Sequence, residues 1–196
     1  MTDRDRVEHT KQQIRWRVGE IAQIAKRTID PRQFFDAFLD GLVDCLAAKG
    51  GAIWTLDRAG DLQLEYEIHW RETHLAENQT NLRRHDMLLR NTLLGGEGVV
   101  VAPRFGEGGD DQPCNPTEFL LVLGVLKVDR EPKGVAIRSG RILASGLAKV
   151  DQYPTGIVEI FQRPGAPSTT QRGYLKFLGQ MCELANDYLR RSSRSH

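Results

Sequence analysis

The sequence predicts an α+β domain in which helices cover an antiparallel sheet. Three patterns carry that prediction. Apolar residues recur at helical spacing near both ends of the chain, in "IRWRVGEIAQIAKRTI" and "YLKFLGQMCELANDYL". The stretch "LQLEYEIHW", Leu62 to Trp70, alternates strictly, as a half-buried antiparallel strand does. The run "TEFLLVLGVLKVD" is too apolar for a strand with one wet face, which places it centrally in the sheet.

Composition bounds the function before any motif does. A chain of 196 residues with 40% hydrophobic and 27% charged residues can bury one core, and it is not disordered in bulk. The formal charge of +1 and the lack of a basic stripe argue against a nucleic-acid partner. Arg190, Arg191 and Arg194 make the one basic cluster, which reads as a solvated helix end rather than a phosphate or lipid contact. Cys45, Cys114 and Cys182 are too few and too scattered for a disulfide framework. The N-terminal "MTDRDRVEHTKQQ" has no apolar run, so no signal peptide and no membrane insertion are expected, and a soluble, cytoplasmic protein is.

The elements follow in order. Ile14, Val18, Ile21, Ala25 and Ile29 form one narrow apolar stripe on a polar helix, better suited to packing on another helix than to burial in a domain core. Asp30 is placed to cap a second helix with Pro31 at its first position, Gln33 as a capping-box partner, and Gly50-Gly51 as its end. Phe35, Phe38, Leu39, Leu42 and Leu46 share its inner face. A hairpin comes next: Ala52 to Leu56, the turn "DRAGD", then a strand with Leu62, Leu64, Tyr66, Ile68 and Trp70 on one face. Glu72 to Leu94 reads as one or two helices closed by Gly95-Gly96. "GVVVAP" is a short buried strand leading into the exposed loop "RFGEGGDDQPCNP". "TGIVEIFQRPGAP" is the final strand, and Ser168 with Gln171 offers a capping box for the last helix.

An apolar helix running into "GAIWTLD" and then "LQLEYEIHW", with the closing "TGIVEIFQRPG…QRGYLKFLGQMCELANDYL", resembles the GAF domain family over Gln33 to Leu189. A PAS-like or profilin-like sheet domain is the alternative. The resemblance implies a central antiparallel sheet of five to seven strands. Its N- and C-terminal helices would lie on one face, and roofing helices and loops would cover a small-molecule pocket on the other. The family's ligands include cyclic nucleotides, tetrapyrroles, haem, amino acids and other metabolites, and its flanking helices often pair in dimers. Residues 1–29 would then be the dimerisation helix and 30–196 a single domain.

In that frame the pocket walls come from Trp70, His85, Leu89, Leu93, Phe119 and Leu121, with Arg84 beside Arg83 and Arg90 to meet an anionic ligand. The competing account makes the apolar residues the second half of the core and turns the arginines to solvent. No catalytic or metal set emerges: His69, His74 and His85 lack a recognised ligand spacing. Cys114 is a loop cysteine, as in GAF-type free methionine sulfoxide reductases, but no resolving thiol stands near it in the pattern. The cyclic-nucleotide and bilin-attachment patterns of the family are absent, and "GGEG" and "GEGG" are turns, not phosphate loops. The ligand and any cofactor stay unassigned. The expected function is a non-catalytic sensory or regulatory domain, a homodimer acting on a separate output protein. Reductase chemistry at Cys114, or a ligand-free interaction module of a larger signalling or export assembly, are the alternatives.

One phrase is written twice. Gly124, Lys127, Val128, Asp129, Pro132 and Gly134 recur as Gly146, Lys149, Val150, Asp151, Pro154 and Gly156. Joining Gly134 to Ile157 gives an uninterrupted family-like hairpin, so 135–156 reads as an inserted, duplicated unit with Pro132, Gly134, Pro154 and Gly156 as turn residues.

Overall fold

The computed structural model describes residues 3–27, 29–57, 59–104, 112–129 and 153–192. These form α1 (Asp3–Lys26), α2 (Pro31–Cys45), β1 (Gly50–Leu56), β2 (Leu62–Ile68), two 3₁₀ turns (Trp70–Thr73 and Leu75–Glu77), α3 (Gln79–Gly95), β3 (Val99–Val101), β4 (Leu120–Val128), β5 (Tyr153–Gln162) and α4 (Ser168–Ser192). The expected α+β class holds. Five strands make one antiparallel sheet in the order β2-β1-β5-β4-β3.

Local chemistry sets the helix ends. The Asp30 carboxylate accepts a hydrogen bond from the Arg32 amide at 2.8 Å, and Pro31 opens α2. Gly50-Gly51 does not end α2; the helix stops at Cys45, Ala47 turns left-handed at φ 46°, and the two glycines lie in β1. They are needed there because a side chain on Gly50 would run into the Ile68 carbonyl oxygen of the neighbouring strand. Gly96 closes α3 at φ 68°, its amide bonded to the Thr92 and Leu93 carbonyls. At the start of α4, Gln171 reaches back to the Ala166 carbonyl at 2.7 Å rather than forming a box with Ser168.

The central strand β5 feeds two cores through its alternation. Val158 and Ile160 join Ile53, Val122 and Leu126 beneath α1, α2 and α4, while Ile157 and Phe161 join Ala52, Trp54, Leu121 and Leu123 beneath α3 and the 3₁₀ turns. Terminal and roofing helices therefore occupy opposite faces.

In β2 the strict alternation conceals a change of face. Ile53 pairs with Tyr66 but Trp54 pairs with Leu64, leaving Glu65 as an extra residue. Leu62 and Leu64 consequently join the α3-side core, whereas Tyr66 and Ile68 join the other, so the five residues read as one face do not share one. Strand β3 is an edge strand, not a buried one: Val99 is 37% exposed and only Val101 is buried.

The α1 stripe is used within the domain. Ile21 and Ala25 are buried, with Val18, Ile24 and Ile29 packed beside them. Ile21 fills a notch left by Gly41, where a Cβ would stand 2.5 Å from its Cδ1. Arg17 bonds Asp44 at 2.7 Å, Tyr188 donates to the Ile29 carbonyl at 2.8 Å, and Arg191 to the Ala25 carbonyl at 2.8 Å.

Within the repeated phrase, Gly124, Lys127 and Val128 lie in β4. Pro154 and Gly156 are strand residues rather than turn residues, facing Lys127 and Leu126 across a bulge. Tyr153–Gly156 thus belong to β5, and the rest of the duplicated unit, like Pro132 and Gly134, lies outside the described residues. A side chain at Gly156 would meet the Trp54 carbonyl oxygen. Gly156→Ala is expected to lower the unfolding free energy by about 2 kcal/mol in urea denaturation; an unchanged midpoint would show that β1 and β5 have room to part there.

Candidate functional site

The α3 face gathers most of the residues that sequence places in a pocket. Trp70, Leu89, Leu93 and Leu121 are buried together with Trp54, Leu75 and Leu88, and Phe119 packs at the margin against the Phe161 ring, 6.0 Å between centroids. These apolar side chains form the second half of the core. The arginines diverge: Arg83 is exposed, Arg84 is buried, and Arg90 is held by Asp86 at 2.7 Å and Asp61 at 3.0 Å.

At the centre of this face stands a polar cluster. Helix α3 carries His85, Leu89 and Leu93 on one row, and the row lies over the Ile157–Glu159–Phe161 face of β5. His85 Nε2 and Glu159 Oε1 are 2.7 Å apart, with side chains 1% and 0% exposed. Trp54 Nε1 donates to the other carboxylate oxygen at 2.9 Å. The Trp54 ring meets both Trp70, edge to face at 5.8 Å, and His85 at 6.0 Å. Removing a carboxylate from water costs several kcal/mol, and here a facing imidazole and an indole N–H offset it.

Glu159 and Trp54 escape sequence periodicity because each occupies an inward position of a buried strand. A signal was present, however: in "GIVEIF" Glu159 is the only ionisable side chain. A lone carboxylate in a wholly buried strand must be paired or used.

The cysteines are not where loop chemistry needs them. Cys114 lies in a segment read as an exposed loop, yet it is fully buried, and its amide donates to the Arg84 carbonyl at 3.2 Å. Its neighbour Asn115 explains the burial: Nδ2 donates to the Ala102 and Phe119 carbonyls, each at 2.9 Å, pinning this segment between β3 and β4. Burial pushes the Cys182 thiol up to about 12, and burial with the adjacent Asp44 raises Cys45. His69 and His74 are exposed and face Glu72 and Glu77; the bond to Glu77 raises the pKa of His74. Among the described residues no three His, Cys, Asp or Glu side chains are grouped to hold a metal ion.

The opposite face carries an open groove of about 430 Å³ lined by Asp36, Ala37, Leu39, Asp40, Tyr66, Glu67 and Ile68, remote from His85 and Glu159. No helix among the described residues is long and apolar enough to cross a membrane.

No family model and no curated protein matches the sequence. Solved structures do match. The nlh2 GAF domain of A. aeolicus, in an inactive state, aligns over 92% of this chain and 97% of its own, with a TM-score of 0.58 at 13% identity. The chain has the GAF fold. The GAF domain of an Acinetobacter phosphoenolpyruvate-protein phosphotransferase aligns over 100% of this chain and 98% of its own, with a TM-score of 0.51 at 10% identity. The free methionine-R-sulfoxide reductase of Neisseria meningitidis, in complex with its substrate, aligns over 93% and 92%, with a TM-score of 0.58 at 11% identity. At such identities the shared property is the GAF fold itself, so what this chain does has to be argued from its own residues.

Proposed function

We propose that this chain is a non-catalytic sensory or regulatory GAF domain of the cytoplasm, dimerising through its terminal helices. It takes a small molecule on the α3 face and acts on a separate output protein, without nucleic acid. One observation carries the reading: a fully buried His85–Glu159–Trp54 cluster set in an otherwise apolar core. A buried, hydrogen-bonded polar cluster is a weak source of stability, and paired titratable groups of this kind concentrate where ligands are handled. The flanking β5 residues Val158 and Ile160 pack beneath the helices on the other face, so a ligand that shifts β5 also shifts α1 and α4.

Helix α1 supports the dimer. Beyond the half that packs into the core it presents Trp16, 60% exposed, on a helix whose residues from Glu8 to Gln13 are all exposed. An exposed indole on a projecting helix suits a matching helix from a second copy. The expectation is a dimer by native mass spectrometry, converted to a monomer by Trp16→Glu with less than about 0.5 kcal/mol change in domain stability, as for an exposed site. A wild-type monomer would overturn the dimer.

Reductase chemistry is favoured by one placement only, Cys114 directly beside α3 through its bond to Arg84. The sensory reading expects no reduction of free methionine sulfoxide by the purified protein. Turnover that disappears in Cys114→Ser would replace that reading with an enzyme.

A further inference from the structure

We infer, resting on the dimer proposed above, that Trp16 of each copy seats in the groove between α2 and β2 of the other, with Arg15 set against the groove's carboxylates. The groove holds about 430 Å³. Leu39 is buried and Tyr66 and Ile68 are half-buried against the core, which makes them its apolar floor. Asp36, Asp40 and Glu67 are exposed along its rim.

The charge of this rim is unbalanced. Asp36 and Asp40 stand one turn apart on α2, a spacing at which like charges repel, and neither has an ion-pair partner among the described residues. Glu67 meets Arg71 at 3.3 Å. Burial, together with Asp36, Glu65 and Asp30, raises the pKa of the Tyr66 phenol even though Arg32 opposes it. A guest that suits the groove is therefore apolar in its body and positively charged beside it.

The chain carries that guest on α1, in the run Arg15-Trp16-Arg17. Trp16 is 60% exposed, and the Arg17 guanidinium lies 5.3 Å from the centre of its ring. Arg17 is committed to Glu20 at 3.2 Å and Asp44 at 2.7 Å. Arg15 is exposed and has no carboxylate partner among the described residues. Trp and Arg are also the side chains that most often anchor protein interfaces.

Guest and groove lie along one strip of surface. Asp36, Asp40 and Asp44 recur every fourth residue of α2, and Arg17, next to Trp16, binds the last of them. Within one chain the two do not meet, since the indole is exposed and the groove open. A two-fold axis across the strip brings each Trp16 to the other copy's groove, so a single patch is its own partner.

Two variants of the full chain separate this contact from packing of α1 on α1. Trp16→Glu removes the guest, and Asp36→Lys with Asp40→Lys reverses the host, all at exposed positions. In analytical ultracentrifugation each variant alone should dimerise at least about a hundredfold more weakly than the unaltered chain. An equal mixture should form a heterodimer at least about tenfold tighter than either variant's own dimer, because Trp16 of the groove variant still meets an intact groove. In the unaltered protein, raising salt from about 0.05 M to about 0.5 M should weaken the dimer about fivefold, a readout that depends on no variant. A groove variant that dimerises like the unaltered chain, a mixture that stays monomeric, or a dimer indifferent to salt would overturn the inference. The first of these, with Trp16→Glu monomeric, leaves the proposed dimer standing and gives the groove to another occupant. An unaltered chain that is itself monomeric removes the dimer, and this contact with it.

Discussion

A single carboxylate in the middle of the central strand governs one whole side of this domain. Glu159 is entirely shielded from water, so its two oxygens must be met by donors from elsewhere in the fold. Trp54 Nε1 donates to one oxygen from the adjacent strand, and His85 Nε2 of α3 shares a hydrogen bond with the other. The register of β1 against β5 and the docking of α3 on the sheet are thereby tied to the same group. Leu89 and Leu93 follow His85 along the helix row, and their burial depends on that docking.

The other side of the sheet answers to the same strand. Val158 and Ile160 flank Glu159 in sequence and point into the core beneath α1, α2 and α4. Helix α4 lies so close that a Cβ on Gly124 would be 2.6 Å from the Cys182 sulfur, and Asn186 accepts from the Lys127 amide at 2.8 Å. Helix α1 is fastened in turn through the Gly41 notch and the Tyr188 and Arg191 bonds. Close-packed elements without slack pass a displacement on rather than absorbing it. In the proposed sensor this is the route from a ligand at His85 to a dimer at α1.

Much of the fold was legible because its signals are local. The Asp30-Pro31 start, the Gly96 stop and the apolar rows of α3 and α4 each follow from a few neighbouring residues. What failed to show depends on partners distant in sequence. The β2 bulge at Glu65 sits inside a perfect alternation, so only pairing with β1 reveals that Tyr66 and Leu64 enter different cores. Gly50, Gly51 and Gly156 look like turn residues, but they serve close approaches between strands. Cys114 reads as a loop thiol until the Asn115 bonds bury it. Trp70, His85, Leu89, Leu93 and Leu121, which the sequence reading groups as pocket walls, lie on one face of the sheet, whereas Glu159 beside them is visible in sequence only as an odd charge in a strand.

The central claim is that the polar cluster is retained for what it binds and not for the stability it confers. Replacing its members together tests this, because a half-emptied network would leave a buried charge or donor unpaired and obscure the comparison. The measurement is the urea unfolding free energy of a Trp54→Phe, His85→Leu, Glu159→Met variant against the unaltered chain. The account predicts a variant as stable as the original, or more so by about 1 kcal/mol or above. A loss of more than about 3 kcal/mol would contradict it and make the cluster a structural element of the core.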